Sequence, residues 1–208
     1  AGAFTPFAIF DKPDPLDGPF FEETIYVTPS RARREVQAQI LTAVAGATRA
    51  LGLVHGSVHA ECRVNAGGVH VLEVAARPIG GLCSRALRFQ SPGGAAVSLE
   101  EVLLRHAIGE DVRAYAREAP ASGVMMMPIP RRGVYRRVEG EDEARRVPGV
   151  EEVTITAKPD ALLVPLPEGR SYLGFIFARG GDPEAVERAL RAAHARLRFT
   201  IDKEVPVL

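Results

Sequence analysis

Apolar and β-branched runs alternate with turn-forming residues at the start of the chain. The runs "TPFAIF" and "FFEETIYVTPS" are separated by "DKPDPLDGP", whose proline, aspartate and glycine content is typical of a connection between strands. This pattern predicts a first β-hairpin. Apolar residues then recur at helical spacing from an N-cap at Ser30 to a C-terminal cap at Gly52, which predicts one amphipathic helix.

A second hairpin is predicted in the stretch "SVHAECRVNAGGVHVLEVAARPIGG", which begins at Ser57. Alternation of polar and apolar positions predicts one strand over 57–64 and a second over 69–77, with a tight turn at "NAGG" between them. Pro78 ends the second strand.

The pattern changes near residue 110. Just before it, Ser98 and Glu101 have the spacing of a capping box at the start of a helix. From about Asp111 onward, short strands at "GVMMMPIP", "VEEVTIT", "ALLVPL" and "SYLGFIFA" precede a helix that begins at Pro183. The sequence therefore predicts an α+β fold with a first domain at 1–109 and a small, strand-rich domain at 110–208.

Composition narrows the class of protein. The chain has 208 residues, of which 46% are hydrophobic, so it can bury a core. Lysines plus arginines equal aspartates plus glutamates, at 26 each, so no long-range field recruits nucleic acid. No apolar run approaches the roughly 20 residues of a membrane span. We therefore expect neither nucleic acid nor a membrane as a partner.

The cysteines and the start of the chain carry two further expectations. Cys62 and Cys83 form no CxxC pair, so neither a disulfide framework nor a zinc cluster is expected, and a cytoplasmic location follows. The chain opens without methionine on "AGAFTPFAIFDKPDP", which has the character of an internal segment. We therefore expect a fragment of a longer protein.

Two acidic residues in the second hairpin are candidates for chemistry. Alternation places Glu61 on the polar side of the first strand, and an odd-length turn would place it opposite Glu73 with Cβ atoms ~5 Å apart. An even-length turn without a bulge would leave the two out of register. Opposed like charges are destabilising, so a cation is the simplest remedy, and carboxylate oxygens suit magnesium that holds nucleotide phosphates.

The residues that follow extend this candidate site. Arg77 lies ~13 Å farther along an extended strand, close enough for its guanidinium to meet phosphate oxygens, and Gly80 and Gly81 allow a ligand to approach the backbone. The alternative is a solvated ion-pair ladder on an exposed face. Apolar residues on both sides of Glu73 favour a strand buried on two faces, where an unpaired carboxylate would cost several kcal/mol.

At these residues the sequence resembles the ATP-grasp superfamily, whose members use magnesium-ATP to convert a carboxylate to an acyl phosphate that a nucleophile attacks. "HAECR" and "LEVAARPIGG" look like the paired family strands that each carry a metal glutamate. The resemblance implies the C-terminal subdomain of an ATP-grasp fold, an antiparallel sheet with helices. It also implies that Glu61 and Glu73 bind Mg2+, with Mn2+ as a substitute, and that Arg77 contacts the transferred phosphoryl group.

Within the superfamily, "FDKP", "EETIYVTPS", "ALGL" and "EVAAR" are similar to segments of the bacterial L-amino-acid ligases, which join amino acids into dipeptides. "VPGVEEVTI" and "SYLGFIFARG" resemble their small C-terminal domain. This resemblance implies that Glu23 helps to hold the amino-acid substrate and that Gly80 lines its site. Ala75 stands where many ATP-grasp enzymes have an asparagine ligand, and Tyr26 stands where the dipeptide ligase has a histidine beside its substrate, so the metal count and the substrate stay open.

The resemblance also implies a missing part. The ATP-grasp subdomain with the glycine-rich loop and the adenine hinge normally lies upstream of "TPFAIFDKP". Because a nucleotide held between two subdomains loses most of its contacts when one is absent, we expect this chain alone to bind ATP weakly and to turn over nothing.

Weaker candidates have ordinary explanations beside the functional ones. Lys12 could reach a phosphate or be a solvated turn lysine. His59 could shuttle a proton or be a structural partner of the carboxylates. "RRGVYRR" could suggest nucleic acid, but "EGEDE" follows and cancels its field. Cys83 lacks an identifiable base, and the three methionines at 125–127 are typical of a core strand.

Three functional hypotheses follow. The first is the C-terminal part of an ATP-dependent carboxylate-amine ligase acting on amino acids. The second is a biotin carboxylase or carbamoyl-phosphate type of ATP-grasp enzyme that uses bicarbonate. The third is a non-catalytic module for dimerisation or docking. A homodimer is compatible with all three.

Overall fold

The computed structural model of the protein describes residues 3–15, 23–169 and 171–204. The described helices are α1 (Arg34–Ala50), α2 (Leu99–Ala107), α3 (Glu141–Arg145) and α4 (Pro183–His194). The described strands are β1 (Ile25–Thr28), β2 (His59–Asn65), β3 (Gly68–Ala75), β4 (Arg88–Gln90), β5 (Ala96–Ser98), β6 (Ala116–Arg117), β7 (Ala121–Met127), β8 (Gly133–Glu139), β9 (Val150–Ile155), β10 (Leu162–Leu163), β11 (Gly174–Gly180) and β12 (Arg198–Asp202). Each pairing between these strands is antiparallel, so the predicted α+β class is confirmed.

The chain divides into two compact units. The first comprises Ala1–Ile9 and Ser30–Ala119, and the second comprises Phe10–Pro29 and Pro120–Leu208. Residues 10–15 and 23–29, which the sequence pattern assigned to the first domain, lie in the second compact unit, since β1 pairs with β7. The family domains proposed at 1–109 and 110–208 stay a prediction.

The predicted first hairpin is wrong in its pairing. β1 pairs with β7, with Tyr26 opposite Val124, and a single bridge joins Asp11 to Val27. Residues 3–9 form no strand, and residues 16–22 of the predicted hairpin lie outside the described residues. Every residue of β1 is buried, so its backbone groups need partners inside the core sheet, and β7 supplies them.

Helix α1 begins later than the sequence suggested. Its N-cap is Arg33, without a side-chain hydrogen bond, so Ser30 is not the cap. Instead, the Ser30 hydroxyl accepts a hydrogen bond from the Ala32 N–H at 3.1 Å, which makes a turn ahead of the helix. The expected stop at Gly52 is confirmed: its φ is +71°, and its N–H donates to the Arg49 carbonyl.

The first unit holds a two-stranded sheet of β2 and β3 and a three-stranded sheet in the order β5-β4-β6. Helix α1 packs against β3. The predicted cap of α2 is confirmed, since the Ser98 hydroxyl accepts from the Glu101 N–H at 3.2 Å. Phe89 of β4 is fully buried, and its ring meets the Phe7 ring edge-on at 5.3 Å.

The second unit is built on a four-stranded sheet in the order β1-β7-β11-β9, against which α4 packs, together with a three-stranded sheet in the order β10-β8-β12. Asp182 caps α4 by accepting from the Ala185 N–H at 2.6 Å, and Val186 and Leu190 are buried against the sheet. The predicted strands at β7, β9, β10 and β11 and the predicted helix α4 are confirmed. The sequence patterns missed β8, β12 and the short α3.

Candidate functional site

Glu61 and Glu73 are direct partners across the hairpin of β2 and β3. The turn holds two residues, Ala66 and Gly67, between the paired Asn65 and Gly68, and an even-length turn alone would leave the glutamates out of register. A bulge restores the pairing: Cys62 is opposite Val71, and Glu61 is opposite Glu73, so Leu72 is the extra residue. The bulge, rather than an odd-length turn, places Glu61 opposite Glu73.

The expectation that β3 is buried on two faces is wrong. The Glu73 side chain is 52% exposed, and Leu72 is 61% exposed. A bulge turns side chains out of the regular alternation, and β3 belongs to a sheet of only two strands. The two carboxylates therefore carry no large burial penalty, and Glu61, which is half-buried, is the more enclosed of the two.

Arg77 does not lie far along an extended strand as predicted. β3 ends at Ala75, and the chain turns so that Arg77 Nη2 lies 3.8 Å from Glu73 Oε1. Arg77 Nη1 also donates to the Pro78 carbonyl at 2.9 Å. Because Arg77 and Glu73 are both about half exposed, this ion pair contributes little to stability. It does place a guanidinium beside the Glu73 carboxylate.

The loop after Arg77 has an unusual backbone. Gly81 and Leu82 have φ of +60° and +55°, and a 3-10 turn, Cys83–Ala86, follows. Gly80 is exposed, and a methyl group added there would lie 3.8 Å from Arg77 Nη1, which is ordinary contact. Cys83 is buried and its thiol faces the Gly81 carbonyl at 3.6 Å, which agrees with a structural cysteine.

The hairpin offers oxygen donors for a hard cation. Among the described residues no group of three or more His, Cys, Asp or Glu side chains could hold a metal by itself. Magnesium commonly uses one or two carboxylates and completes its shell with water and substrate phosphates, so the Glu61 and Glu73 pair fits that ion. A pair of glutamates suits an ion that is shared with substrate phosphates. It is too few ligands for a metal site made of protein side chains alone.

Cys62 and His59 are two partly buried neighbours of Glu61 on β2. Burial raises the pKa of the Cys62 thiol, and the charge of Glu61 raises it further. His59 is half-buried two residues before Glu61, opposite Ala75. Its role as a proton shuttle stays a prediction.

The second unit holds a separate group of the predicted site residues. Lys12 Nζ forms an ion pair with Glu23 Oε1 and lies 5.1 Å from the centre of the Tyr26 ring. The Lys12 side chain is only 23% exposed, so it is not the solvated turn lysine that the sequence also allowed. The structure therefore brings Lys12, Glu23 and Tyr26 together in one unit, and Glu61, Glu73, Arg77 and Gly80 in the other.

Sequence reasoning missed the residue that secures the segment next to Lys12. Asp14 accepts hydrogen bonds from the Thr24 hydroxyl and from Arg191 Nη2, the latter at 2.5 Å. Partial burial opposes ionisation of Asp14, but these hydrogen bonds and the Arg191 charge outweigh it and lower its pKa. Since 177 residues separate Asp14 from Arg191, no local signal could have indicated this contact.

The arginine-rich stretch forms part of β8 and is matched by acidic partners. Arg136 donates to Asp202 at 2.7 Å and to Asp160 at 2.5 Å, and Arg132 donates to Glu204 at 2.6 Å. Arg137 also donates to Glu139, the first residue of the acidic run, at 2.9 Å, so both sets of partners offset the local positive charge.

Two known protein families match separate parts of the chain. Residues 2–86 match the model of the ATP-grasp domain, and residues 125–202 match the model of the L-amino acid ligase C-terminal domain 2. The predicted resemblance to the ATP-grasp and L-amino acid ligase families is thereby confirmed, and each match covers less than half of the chain. No curated protein matches the chain.

Three solved structures share the fold of this chain. The chain is 25% identical to L-amino acid ligase from Bacillus licheniformis, with a TM-score of 0.73, over 90% of this chain and 46% of that one. Phosphoribosylglycinamide synthetase from Anaerococcus prevotii is 13% identical, with a TM-score of 0.68, over 86% of this chain and 46% of that one. Biotin carboxylase from Campylobacter jejuni is 13% identical, with a TM-score of 0.59, over 88% and 40%. The last two likenesses concern the fold alone.

The solved structures cover most of this chain, but this chain covers less than half of each of them. The chain spans about half the length of the solved structures that it resembles. In the described part of the chain, no helix has the length and apolar character that crossing a membrane requires.

Proposed function

We propose that this chain is the magnesium- and substrate-binding part of an ATP-dependent carboxylate-amine ligase that acts on amino acids. The observation that carries the proposal is the direct pairing of Glu61 with Glu73, with Arg77 Nη2 3.8 Å from the second carboxylate. The match to the L-amino acid ligase C-terminal domain 2 supports the amino-acid substrate class.

The carboxylate pair has a physical reason to bind a divalent cation. Two like charges directly opposite each other in an antiparallel pair repel, and a shared cation converts that repulsion into attraction. Glu61 and Glu73 would hold Mg2+, with Mn2+ as a substitute, while ATP phosphates and water complete its shell. Ala75 supplies no metal-binding side chain two residues after Glu73, so Glu61 and Glu73 are the protein ligands in this proposal.

The reaction has two balanced steps. A substrate carboxylate oxygen attacks the terminal phosphorus of ATP, so that an acyl phosphate forms and ADP leaves. An amine then attacks the acyl carbon, the C–O bond to the phosphate breaks, inorganic phosphate leaves, and the nitrogen loses a proton to solvent. Bound magnesium would offset the charge of the phosphate oxygens. Arg77 presents a guanidinium to the phosphoryl group in transit, which is the form of stabilisation that phosphoryl transfer needs most.

The resemblance assigns three residues to the substrate, and each unit is considered by itself. In the second unit, Glu23 receives the substrate ammonium with Tyr26 beside it. In the first unit, Gly80 is the residue assigned to the substrate. The Glu23 assignment rests on the resemblance of "EETIYVTPS" and on the confined setting of its side chain, which is 29% exposed. The two free cysteines suit a reducing cytoplasm.

Activity requires a further part in this proposal. We refer below to the complete ligase, meaning this chain joined to an upstream ATP-grasp half with its glycine-rich loop and adenine hinge. The 208 residues alone should bind ATP weakly and release no phosphate from it. Phosphate release by the isolated chain at the rate of the complete ligase would show that no upstream half is needed.

A phosphate-release screen of the complete ligase tests the substrate class. Release that depends on amino acids supports the proposal, and release that depends on bicarbonate alone would assign the chain to the carboxylase type instead. Glu73→Gln should abolish release, and Glu35→Gln, which changes an acidic residue in the first turn of α1, should retain it. Full activity of Glu73→Gln would overturn the proposed site.

A further inference from the structure

Lys12 is held from two sides in a confined position. Its ammonium pairs with Glu23 Oε1, and it lies over the ring of Tyr26 with 5.1 Å between Nζ and the ring centre. The Lys12 and Glu23 side chains are 23% and 29% exposed, and Tyr26 is 3% exposed. A cation over an aromatic face gains attraction that increases as water is removed. These contacts restrain the Lys12 side chain, whereas a solvent-exposed lysine in a turn would be free to move.

The backbone beneath Lys12 is fixed as well. The Asp11 N–H donates to the Val27 carbonyl at 2.8 Å, and the Val27 N–H donates to the Asp11 carbonyl at 3.0 Å. One residue earlier, the Phe10 ring meets the Tyr26 ring edge-on with 5.9 Å between centres. The segment that carries Lys12 is therefore attached to β1, which carries Tyr26 and begins two residues after Glu23.

We propose that Lys12 is a positioning residue that acts through Glu23: seated over Tyr26, its ammonium fixes the Glu23 carboxylate for the ammonium of an amino-acid substrate. This inference rests on the proposed function, which assigns Glu23 to the substrate. In this inference Lys12 contributes to binding of the amino acid and not of a phosphate. Tyr26 contributes indirectly, because its ring supports Lys12.

If the Glu23 carboxylate is already fixed before the amino acid arrives, the amino acid binds more tightly. A glutamate side chain loses rotamer freedom when it binds a ligand, and a residue that already holds it removes part of that entropic cost. Lys12 also offsets the charge of Glu23, so the partly buried carboxylate does not need a substrate to stabilise it. The ammonium of the substrate then meets an acceptor that is already in place.

The test compares Michaelis constants in the complete ligase. Lys12→Met should raise the KM for the amino acid about tenfold, the expected order of effect when a charge-assisted partner is lost. It should leave kcat and the KM for ATP nearly unchanged. Lys12→Arg should restore most of the affinity, since a guanidinium can both pair with a carboxylate and stack on an aromatic ring. Lys158→Met, at an exposed loop position, is the matched control.

Two further comparisons separate positioning from other roles. The double variant Lys12→Met with Glu23→Gln should have the same amino-acid KM as Glu23→Gln alone, because Lys12 acts through Glu23. Tyr26→Leu, which removes the ring under Lys12, should also raise the amino-acid KM. If Lys12→Met unfolds, Lys12→Gln, which keeps a hydrogen-bond donor, replaces it in each comparison.

Several results would overturn the inference. A higher KM for ATP, a lower KM for the amino acid, or additive effects in the double variant would each show that Lys12 does not position Glu23. Amino-acid-dependent turnover with an unchanged KM in Lys12→Met would overturn this inference and leave the proposed function standing. Turnover that does not depend on amino acids would overturn the proposed substrate class, and this inference with it.

Discussion

Glu61 lies directly opposite Glu73 because β3 carries one extra residue, Leu72, between its pairings with Cys62 and Glu61. A two-residue turn would otherwise offset the glutamates. The bulge therefore places two glutamates opposite each other at a point where a regular hairpin with this turn would offset them. Bulges are common beside active sites, where they redirect a side chain.

Replacing Glu73 by glutamine should abolish activity but leave the free energy of unfolding nearly unchanged. The variant removes a repulsion with Glu61 and a weak attraction to Arg77, and both involve side chains that are about half exposed. We expect the free energy of unfolding to change by less than about 1 kcal/mol. Chemical denaturation of the parent and of the Glu73→Gln variant, in the absence of divalent metal, measures this. A loss several times larger would mark Glu73 as a structural residue.

The reactivity of Cys62 should report on the charge of Glu61. Burial raises the pKa of the Cys62 thiol, and Glu61 raises it further, so Glu61→Gln should lower that pKa and speed alkylation at neutral pH. Rates of iodoacetamide modification, followed by mass spectrometry against pH, measure the effect. Glu73→Gln is the control and should leave the rate unchanged. Cys83 is 2% exposed and should react slowly in every variant.

A methyl group at Gly123 should destabilise the second unit. An added Cβ would lie 2.7 Å from the Tyr26 carbonyl oxygen and 2.9 Å from Val186 Cγ1, so strand β1 or helix α4 would have to move. Overpacking of this kind costs about 1–3 kcal/mol. Gly46→Ala, inside α1 with nothing within 4 Å, should instead stabilise by about 0.5–1 kcal/mol. Thermal unfolding of the two variants should shift in opposite directions.

Acid should weaken the contact between Asp14 and Arg191. The folded state lowers the pKa of Asp14 below its ordinary value of 3.8, so the ionised form stabilises the fold. That contribution is present above about pH 4 and is lost as the pH falls through the folded-state pKa. Asp14→Asn should therefore reduce the slope of stability against pH below about 4. An unchanged acid slope would show that Asp14 is not stabilised as an anion.

The sequence indicated the strand pairing of Glu61 and Glu73 better than it indicated the pairing of the first strand. The faces of Glu61 and Glu73 follow from the alternation of residues, but no glycine or proline marks the bulge at Leu72, whose position depends on both strands. The partner of β1 lies about a hundred residues away, so a local pattern could not identify it. Arg136 of β8 pairs with Asp202 of β12, and such charged positions obscure the apolar alternation on which strand prediction depends.

Titration calorimetry of magnesium-ATP into the complete ligase tests the central claim most directly. If Glu61 and Glu73 hold the metal, Glu61→Gln and Glu73→Gln should each abolish magnesium-dependent binding of ATP, while Glu35→Gln binds like the parent protein. Binding by both hairpin variants with the affinity of the parent would contradict the account, because the paired carboxylates would then take no part in holding the nucleotide.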